Sequence, residues 1–383
     1  MIPLAILLFW GGCAVLGFTF VGYKLFIEWL ARRRPTLSSA RDPAFAPDVT
    51  VVIVAYNEEQ RIRSRVENLL ASSYPPECLQ VLVVSDGSTD ATVSIVEEMT
   101  SPRARILVMP ERRGKAAGLN AGISEAGAEI VVLTDARQWF PEETIGRLVA
   151  HFTDAKIGAV SGSLEIDPAQ SATGRGIGAY WKWEKAIRAA EARWDSCIGC
   201  TGAVYAIRKG LFRSIPEDTV LDDVVIPMGI AMQGYRVLHD PLAPAYDPQP
   251  LEPEAEKRRK CRTLAGNFQM LFRYPGWLDP IHSRLWWQLA AHKYLRLIAP
   301  AVLALVFLSN LPLAGIAFYR ATLLGQVALY ACAVVGLCVP KLRIRVFAFP
   351  AAFVFLNFTT VAAFWHYVRS SDLHRWDASR RRT

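Results

Sequence analysis

Four short apolar runs in this chain each end in an acidic residue or pair, and this repetition restricts the possible folds more than any other feature. Val49–Ala55 leads into Tyr56-Asn57-Glu58-Glu59, and residues 81–85 lead into Asp86-Gly87-Ser88-Thr89-Asp90. Ile130–Thr134 stops at Asp135, and Val220-Leu221 precedes Asp222-Asp223. β-rich apolar runs that alternate with helical stretches imply a parallel sheet covered on both faces. Ligands of such sheets sit beyond the carboxyl ends of the strands. The acids are therefore expected along one edge, where they can hold a polar, charged substrate.

Between these runs the spacing predicts helices over residues 58–72, 90–99 and 115–126. Pro141 suits a first helical turn, with Glu142 and Glu143 matching the positive end of the helix dipole. Gly174–Trp194 is a long amphipathic stretch carrying Trp181, Trp183 and Trp194, read either as core residues or as a sugar or membrane contact. Val224 to Met232 reads as a helix that Asp222 can cap, and Asp90 reads as an Asx-turn or cap residue.

The two ends of the 383-residue chain carry the excess of its 52% hydrophobic content. Residues 2–23 contain no charge and are long enough to cross a bilayer. Lys24 and Arg32-Arg33-Arg34 follow the apolar stretch, so it reads as a retained anchor with Arg32 onward on the cytoplasmic side. Residues 282–298 read as a helix lying in the membrane interface, with Leu285, Trp286, Leu289, Tyr294 and Leu297 near one face. Residues 297–319, 322–339 and 346–368 are three further spanning candidates. Four spans would place the arginine-rich tail outside, against the positive-inside preference.

The expected division is an anchor (1–31), a linker (32–48), an α/β catalytic domain (49–251), basic and amphipathic interface helices (252–296), membrane segments (297–368) and a basic tail (369–383). Seven scattered cysteines do not form a disulfide framework, and Cys197-x-x-Cys200 has no second pair at zinc spacing. The net charge of +8 clusters beside apolar spans, which points to anionic lipid headgroups and not to nucleic acid.

Seven elements occur in an order that resembles the membrane-embedded family 2 glycosyltransferases, the group of cellulose, hyaluronan and poly-N-acetylglucosamine synthases. They are Val54-Ala55-Tyr56-Asn57-Glu58, then Ser85-Asp86-Gly87-Ser88-Thr89-Asp90, then Arg113-Gly114-Lys115-Ala116-Ala117-Gly118-Leu119-Asn120. Thr134-Asp135-Ala136-Arg137, Cys200-Thr201-Gly202-Ala203, Leu221-Asp222-Asp223 and Arg259-Lys260-Cys261-Arg262-Thr263 follow. The resemblance covers residues 48–275 and the flanking membrane segments. It implies a GT-A fold, a Rossmann-like mixed sheet, with membrane helices at both ends, in a bacterial inner membrane with the catalytic domain in the cytoplasm.

The resemblance also implies roles. Glu58 and Asp86 would accept hydrogen bonds from the base and ribose of a nucleotide sugar, and Lys115 would reach a phosphate as a point charge. Asp135 matches the first acid of the family's Asp-x-Asp element, which supplies a carboxylate to Mg²⁺ or Mn²⁺ at the diphosphate. The second acid is replaced by Arg137. That residue would either neutralise the diphosphate itself or turn away and leave the metal to Asp135 and phosphate oxygens. Asp223 matches the general base, preceded by Asp222, and Gly202 lies on the acceptor side. Arg262 matches an arginine beside the diphosphate and the acceptor. Arg259 stands at the family's glutamine position, and Thr263 at a tryptophan position.

The implied activity is inverting transfer of a sugar from a nucleotide diphosphate donor, expected to be UDP-linked, to a polysaccharide, with a lipid acceptor as the alternative. A membrane-anchored, non-catalytic nucleotide-sugar binder is a second reading; Arg137 and Thr263 motivate it, and Asp223 argues against it. A dinucleotide-dependent oxidoreductase is excluded, because the turn after the first strand carries Tyr56-Asn57-Glu58-Glu59 in place of a glycine fingerprint.

Overall fold

A computed structural model describes residues 2–35, 45–166, 174–247, 253–339 and 345–370. Most of the expected linker, the 340–344 connection and the basic tail beyond residue 370 lie outside the described residues, as does the side chain of Trp181. The described residues divide into two units, one within residues 27–253, the other of residues 2–26 and 254–370.

The strands are β1 (Val49–Ala55), β2 (Leu79–Asp86), β3 (Ala104–Met109), β4 (Ile130–Thr134), β5 (Ile157–Ile166), β6 (Tyr205–Arg208) and β7 (Arg236–Asp247). The helices begin with α1 (Ile2–Gly17) and α2 (Tyr23–Ala31), then α3 (Ile62–Leu70), α4 (Thr92–Glu97), α5 (Lys115–Glu125) and α6 (Thr144–Val149). They continue with α7 (Gly174–Trp194), α8 (Asp222–Met232), α9 (Pro253–Arg273), α10 (Trp286–Leu289), α11 (Leu295–Asn310), α12 (Ala317–Cys338) and α13 (Arg345–Arg369).

The strands of the first unit form one mixed sheet of order β3-β2-β1-β4-β6-β5-β7. β1 runs parallel to both β2 and β4, and β2 runs parallel to β3. β6 is antiparallel to β4 and β5, while β5 and β7 are parallel. All strands except β6 therefore end on one edge, and β6 begins there. The chain reverses order on either side of β1, which is the switch point where open α/β sheets bind ligands.

The apolar residues of β1 explain its central place. Val49, Val51 and Ile53 pack with Ile62, Val66 and Leu69 of α3 in a buried core. The opposite face holds α5 unusually close. A Cβ on Gly118 would come within 2.6 Å of Val54 Cγ1, and one on Gly122 within 2.7 Å of Val52 Cγ1. Two bare helix positions one turn apart thus let α5 lie against the sheet and aim its first residue, Lys115, at the carboxyl edge.

Among the described residues, four helical stretches are long and apolar enough to cross a membrane: Ile2–Ala31, Trp286–Leu313, Ala317–Cys338 and Val346–Arg369. The amphipathic stretch expected as a separate interface helix instead runs on from Trp286 into the second span, with a π turn at Ala290–Tyr294. Close packing comes from small residues, as apolar helices in lipid require. Gly12 faces Val306, and Gly336 lies against the backbone of Phe347. Trp10 Nε1 donates to the Tyr319 hydroxyl at 3.2 Å.

The α5 seat is directly testable. Gly122→Ala places a methyl against Val52 and Val84 and should destabilise the chain by about 1–3 kcal/mol. Gly210→Ala, with open space around it, should leave the melting temperature unchanged. Equal melting temperatures for the two variants would contradict the close approach.

Candidate active site

The loops after β1 and β2 are stitched together. The Asn57 backbone adopts a positive φ of 54°, and its side-chain oxygen accepts the Thr89 N–H at 2.8 Å. The Glu58 N–H donates to Thr92 Oγ1 at 2.8 Å, and the Glu59 N–H to Asp90 Oδ2 at 3.1 Å. Asp90 Oδ1 also accepts the Thr92 N–H at 3.0 Å, so Asp90 has the local turn-forming role read from the sequence. The Glu58 carboxylate is partly exposed and meets Arg61 at 3.2 Å.

Asp86 is buried at the end of β2 and faces the next loop. It accepts the Arg113 N–H at 2.7 Å and the Gly114 N–H at 2.9 Å. Gly87 has a φ of 64°, and a Cβ there would lie 2.6 Å from the Arg112 backbone nitrogen. The 111–114 turn is thus held against the end of β2, directly before Lys115. Arg113 is clasped by Glu217 of the loop that leads to α8. The Asn120 amide exchanges hydrogen bonds with the backbone of Ile215 in the same loop, at 2.8 and 3.0 Å.

Lys115 is the junction of the edge. Its Nζ lies 2.8 Å from Asp135 Oδ1 and 3.4 Å from Asp222 Oδ2. Burial alone would favour the neutral amine. Asp135, Asp222 and Asp223 together outweigh it and hold the ammonium well above the usual lysine range. Asp222 is therefore not the cap expected of it. α8 starts at Asp222, its cap position is Leu221, and no side chain caps it. The nearby lysine charge draws the carboxylate instead.

Asp223 lies beside the 200–203 turn. The Cys200 N–H donates to the Asp223 carbonyl at 2.7 Å, and a Cβ on Gly202 would lie 3.2 Å from Asp223 Oδ2. Cys197 and Cys200 are buried free thiols, as the sequence suggested.

Arg137, read either at the diphosphate or turned away from it, pairs with Asp247. Its Nη2 donates to Asp247 Oδ2 at 2.6 Å, and both groups are largely buried. A buried carboxylate at the end of β7 needs a counter-charge, and Arg137 supplies it. Arg259 and Arg262 lie on α9 in the helical unit.

A buried arginine, Arg65, and a half-buried one, Arg188, were not found from the sequence. Arg65 of α3 donates to Thr134 Oγ1 at 2.8 Å and lies over the Phe140 ring at 4.1 Å. Thr134 in turn donates to the Ala203 carbonyl at 2.6 Å, which ties the end of β4 to the Gly202 turn. Burial pushes the Arg65 guanidinium down to about 9, against the pull of Asp135. Arg188 of α7 donates to Thr201 Oγ1 at 3.0 Å. Burial would lower it, and Glu184, Cys197 and Asp223 more than offset that. A signal existed for Arg65: it falls on the buried stripe of Ile62, Val66 and Leu69.

The donor chemistry of the edge fits a hard divalent cation only in part. Among the described residues no three His, Cys, Asp or Glu side chains gather to hold an ion. Asp135 supplies one carboxylate. That suits Mg²⁺ or Mn²⁺ bound through one protein acid, water and the phosphates of a substrate.

Residues 50–215 match the sequence model of Glycosyl transferase family 2. A poly-beta-1,6-N-acetyl-D-glucosamine synthase of Staphylococcus aureus (strain COL) is 27% identical over 245 residues, covering 59% of this chain and 56% of that protein. The probable glycosyltransferase YdaM of Bacillus subtilis (strain 168) is 25% identical over 250 residues, covering 60% of this chain and 57% of its own length. The chain thus spans little more than half the length of these curated relatives. Among solved structures, a mannosyltransferase from Pyrobaculum calidifontis in complex with GDP-Man and Mn²⁺ matches with a TM-score of 0.71 and 26% identity. That likeness covers 95% of this chain and 99% of the other.

The mixed seven-stranded sheet and this likeness define a GT-A fold. Residues 50–215 thus carry a Glycosyl transferase family 2 domain, as the motifs within them implied.

Two outcomes follow from this geometry. Asp86→Ala leaves the buried 113–114 amides without acceptors, a loss of about 1–3 kcal/mol; calorimetry should also show weaker UDP binding. Unchanged UDP affinity would contradict the nucleotide placement. His239, buried on β7, is pushed down to about 4, first by burial and then by Arg188. Its unfolded value is about 6.5, so the unfolded chain binds more protons between these values, and stability falls as pH drops through that window. His239→Gln should flatten this acid limb in melting curves recorded from pH 7 to 4.

Proposed function

We propose that the chain is an inverting glycosyltransferase that moves a sugar from a nucleotide diphosphate donor, UDP-linked in this reading, to a growing polysaccharide at the membrane. One observation carries the reading: Lys115 draws Asp135 and Asp222 together, with Asp223 next to Gly202 on the same edge. The Glu58 and Asp86 loops accept the nucleoside. Lys115 neutralises the diphosphate. Asp223 takes the proton of the acceptor hydroxyl as that oxygen attacks the anomeric carbon and the bond to the diphosphate breaks.

A bound Mg²⁺ or Mn²⁺ would be held by Asp135 and would neutralise charge on the leaving diphosphate. Arg262 serves the diphosphate and Arg259 the acceptor side in this reading. The catalytic unit faces the cytoplasm of a bacterial inner membrane. The polysaccharide acceptor is supported by the likeness to the poly-N-acetylglucosamine synthases, and a lipid acceptor is the alternative. A guanosine diphosphate donor is a second reading, supported by the archaeal mannosyltransferase, whose likeness runs through nearly the whole chain.

Membranes holding the full chain, given radiolabelled UDP- and GDP-sugars in turn with Mn²⁺, should move label from one UDP-sugar into polymer. Asp223→Asn should lower the rate about 10²–10⁴-fold while leaving UDP affinity near that of the unmutated chain. Full transfer by Asp223→Asn would overturn the base assignment. Label entering organic-soluble lipid would establish the other acceptor class.

A further inference from the structure

Beyond the donor edge, the described residues of the sheet unit expose an aromatic pair that the reaction as derived does not use. Trp139 is 50% exposed and Tyr246 38% exposed. Their ring centroids lie 6.1 Å apart at an interplanar angle of 46°. The pair is built by the backbone. Trp139 and Tyr246 form an antiparallel bridge in which each N–H donates to the other's carbonyl, at 3.0 and 2.9 Å. The buried Arg137–Asp247 ion pair locks the same two segments beside it. Two large aromatic side chains are thus held in water at a rigid position, at the cost of leaving apolar surface uncovered.

The topology places this pair. β7 runs parallel to β5 and ends on the same edge as β1, β2 and β4. Trp139 follows Asp135 by four residues, so its Cα lies within about 14 Å of that of Asp135. The nucleotide-binding strands β3, β2, β1 and β4 form one half of the sheet, and β7 is the outer strand of the other half. The pair therefore stands on the edge that carries the acids, on the side away from the nucleoside loops. Hydrogen-bonding capacity lies close by: Arg137 Nε and Gln138 Oε1 are buried without a partner.

We propose that Trp139 and Tyr246 form a stacking platform for a pyranose ring of the saccharide acceptor. A pyranose presents one face of C–H bonds to an aromatic ring and directs its hydroxyls outward to polar groups; an exposed aromatic pair fixed by its backbone bridge meets the first demand. The platform rests on the glycosyltransferase reading, and it makes the acceptor a sugar and not a bare lipid headgroup. It also gives Arg137 a function in place of metal binding: with Asp247 it fixes the segment that carries Trp139.

The test uses the full chain in nanodiscs with UDP and Mn²⁺ present. Saturation-transfer NMR and titration read the binding of oligosaccharides of two to five glucose, N-acetylglucosamine or mannose units. At least one series should bind saturably, with affinity rising from two units upward. Trp139→Ala and Tyr246→Ala should each weaken it about tenfold, and Trp139→Phe should weaken it less. UDP affinity, measured on the same samples, should stay within twofold of the unmutated chain. No saturable oligosaccharide binding, or unchanged affinity in Trp139→Ala, overturns the platform. A spin label at Trp139→Cys that is reached by oxygen in preference to an aqueous nickel chelate also overturns it, because the pair would then face lipid. Loss of UDP binding by the unmutated chain would instead refute the donor-site reading, so the two failures are distinguishable.

Discussion

The ammonium of Lys115 is the interaction on which the rest of this edge depends. Asp135 ends β4 and Asp222 starts α8, and without a cation between them two carboxylates at a half-buried edge would repel each other. Lys115 reaches both because α5 lies flat on the sheet, and α5 lies flat because Gly118 and Gly122 carry no side chains. Its start is fixed by Asp86, which holds the two preceding backbone amides. A single charge therefore links the ends of β2 and β4 to the beginning of α8. In the proposed reading, the same cation neutralises an arriving diphosphate without a new charge being buried.

Much of this was readable from the residues. β1 and β4 begin and end where their apolar, β-rich runs do, and α7 covers the amphipathic stretch from Gly174 to Trp194. The acids Asp86 and Asp135 fall at strand ends because an apolar run in a buried strand stops where the chain leaves the sheet. β7 was hidden, since Arg236–Asp247 contains Asp240, Pro241 and Pro244. A proline lacks the N–H that a central strand needs, but β7 is an edge strand and tolerates it. With β7 unseen, Asp247 had no place, and the sequence offered no partner for an Arg137 turned away from the diphosphate.

Asp222 went astray for a related reason. A carboxylate at the start of a helix reads as a cap, because local spacing is all that a sequence displays. The competing partner, Lys115, is more than a hundred residues away and wins by charge. Arg65 and Arg188 were missed because long-range contacts to Thr134 and Thr201 justify their burial, and neither contact has a local signature.

In the proposed reading, the two halves of the sheet divide the work of the site. Parallel strands around β1 supply the loops with acids and backbone turns suited to a nucleotide. The β6-β5-β7 half supplies the Gly202 turn and the Arg137–Asp247 clasp, where an acceptor can be presented to Asp223. A cryo-EM reconstruction of the full chain in nanodiscs with UDP and Mn²⁺ tests this division most directly. The account predicts the diphosphate within hydrogen-bonding reach of Lys115 Nζ and the uridine against the 56–59 and 86–90 loops. Nucleotide density on the β5-β7 side, or a Lys115 still paired with Asp135 and Asp222 and out of reach of phosphate, would contradict it.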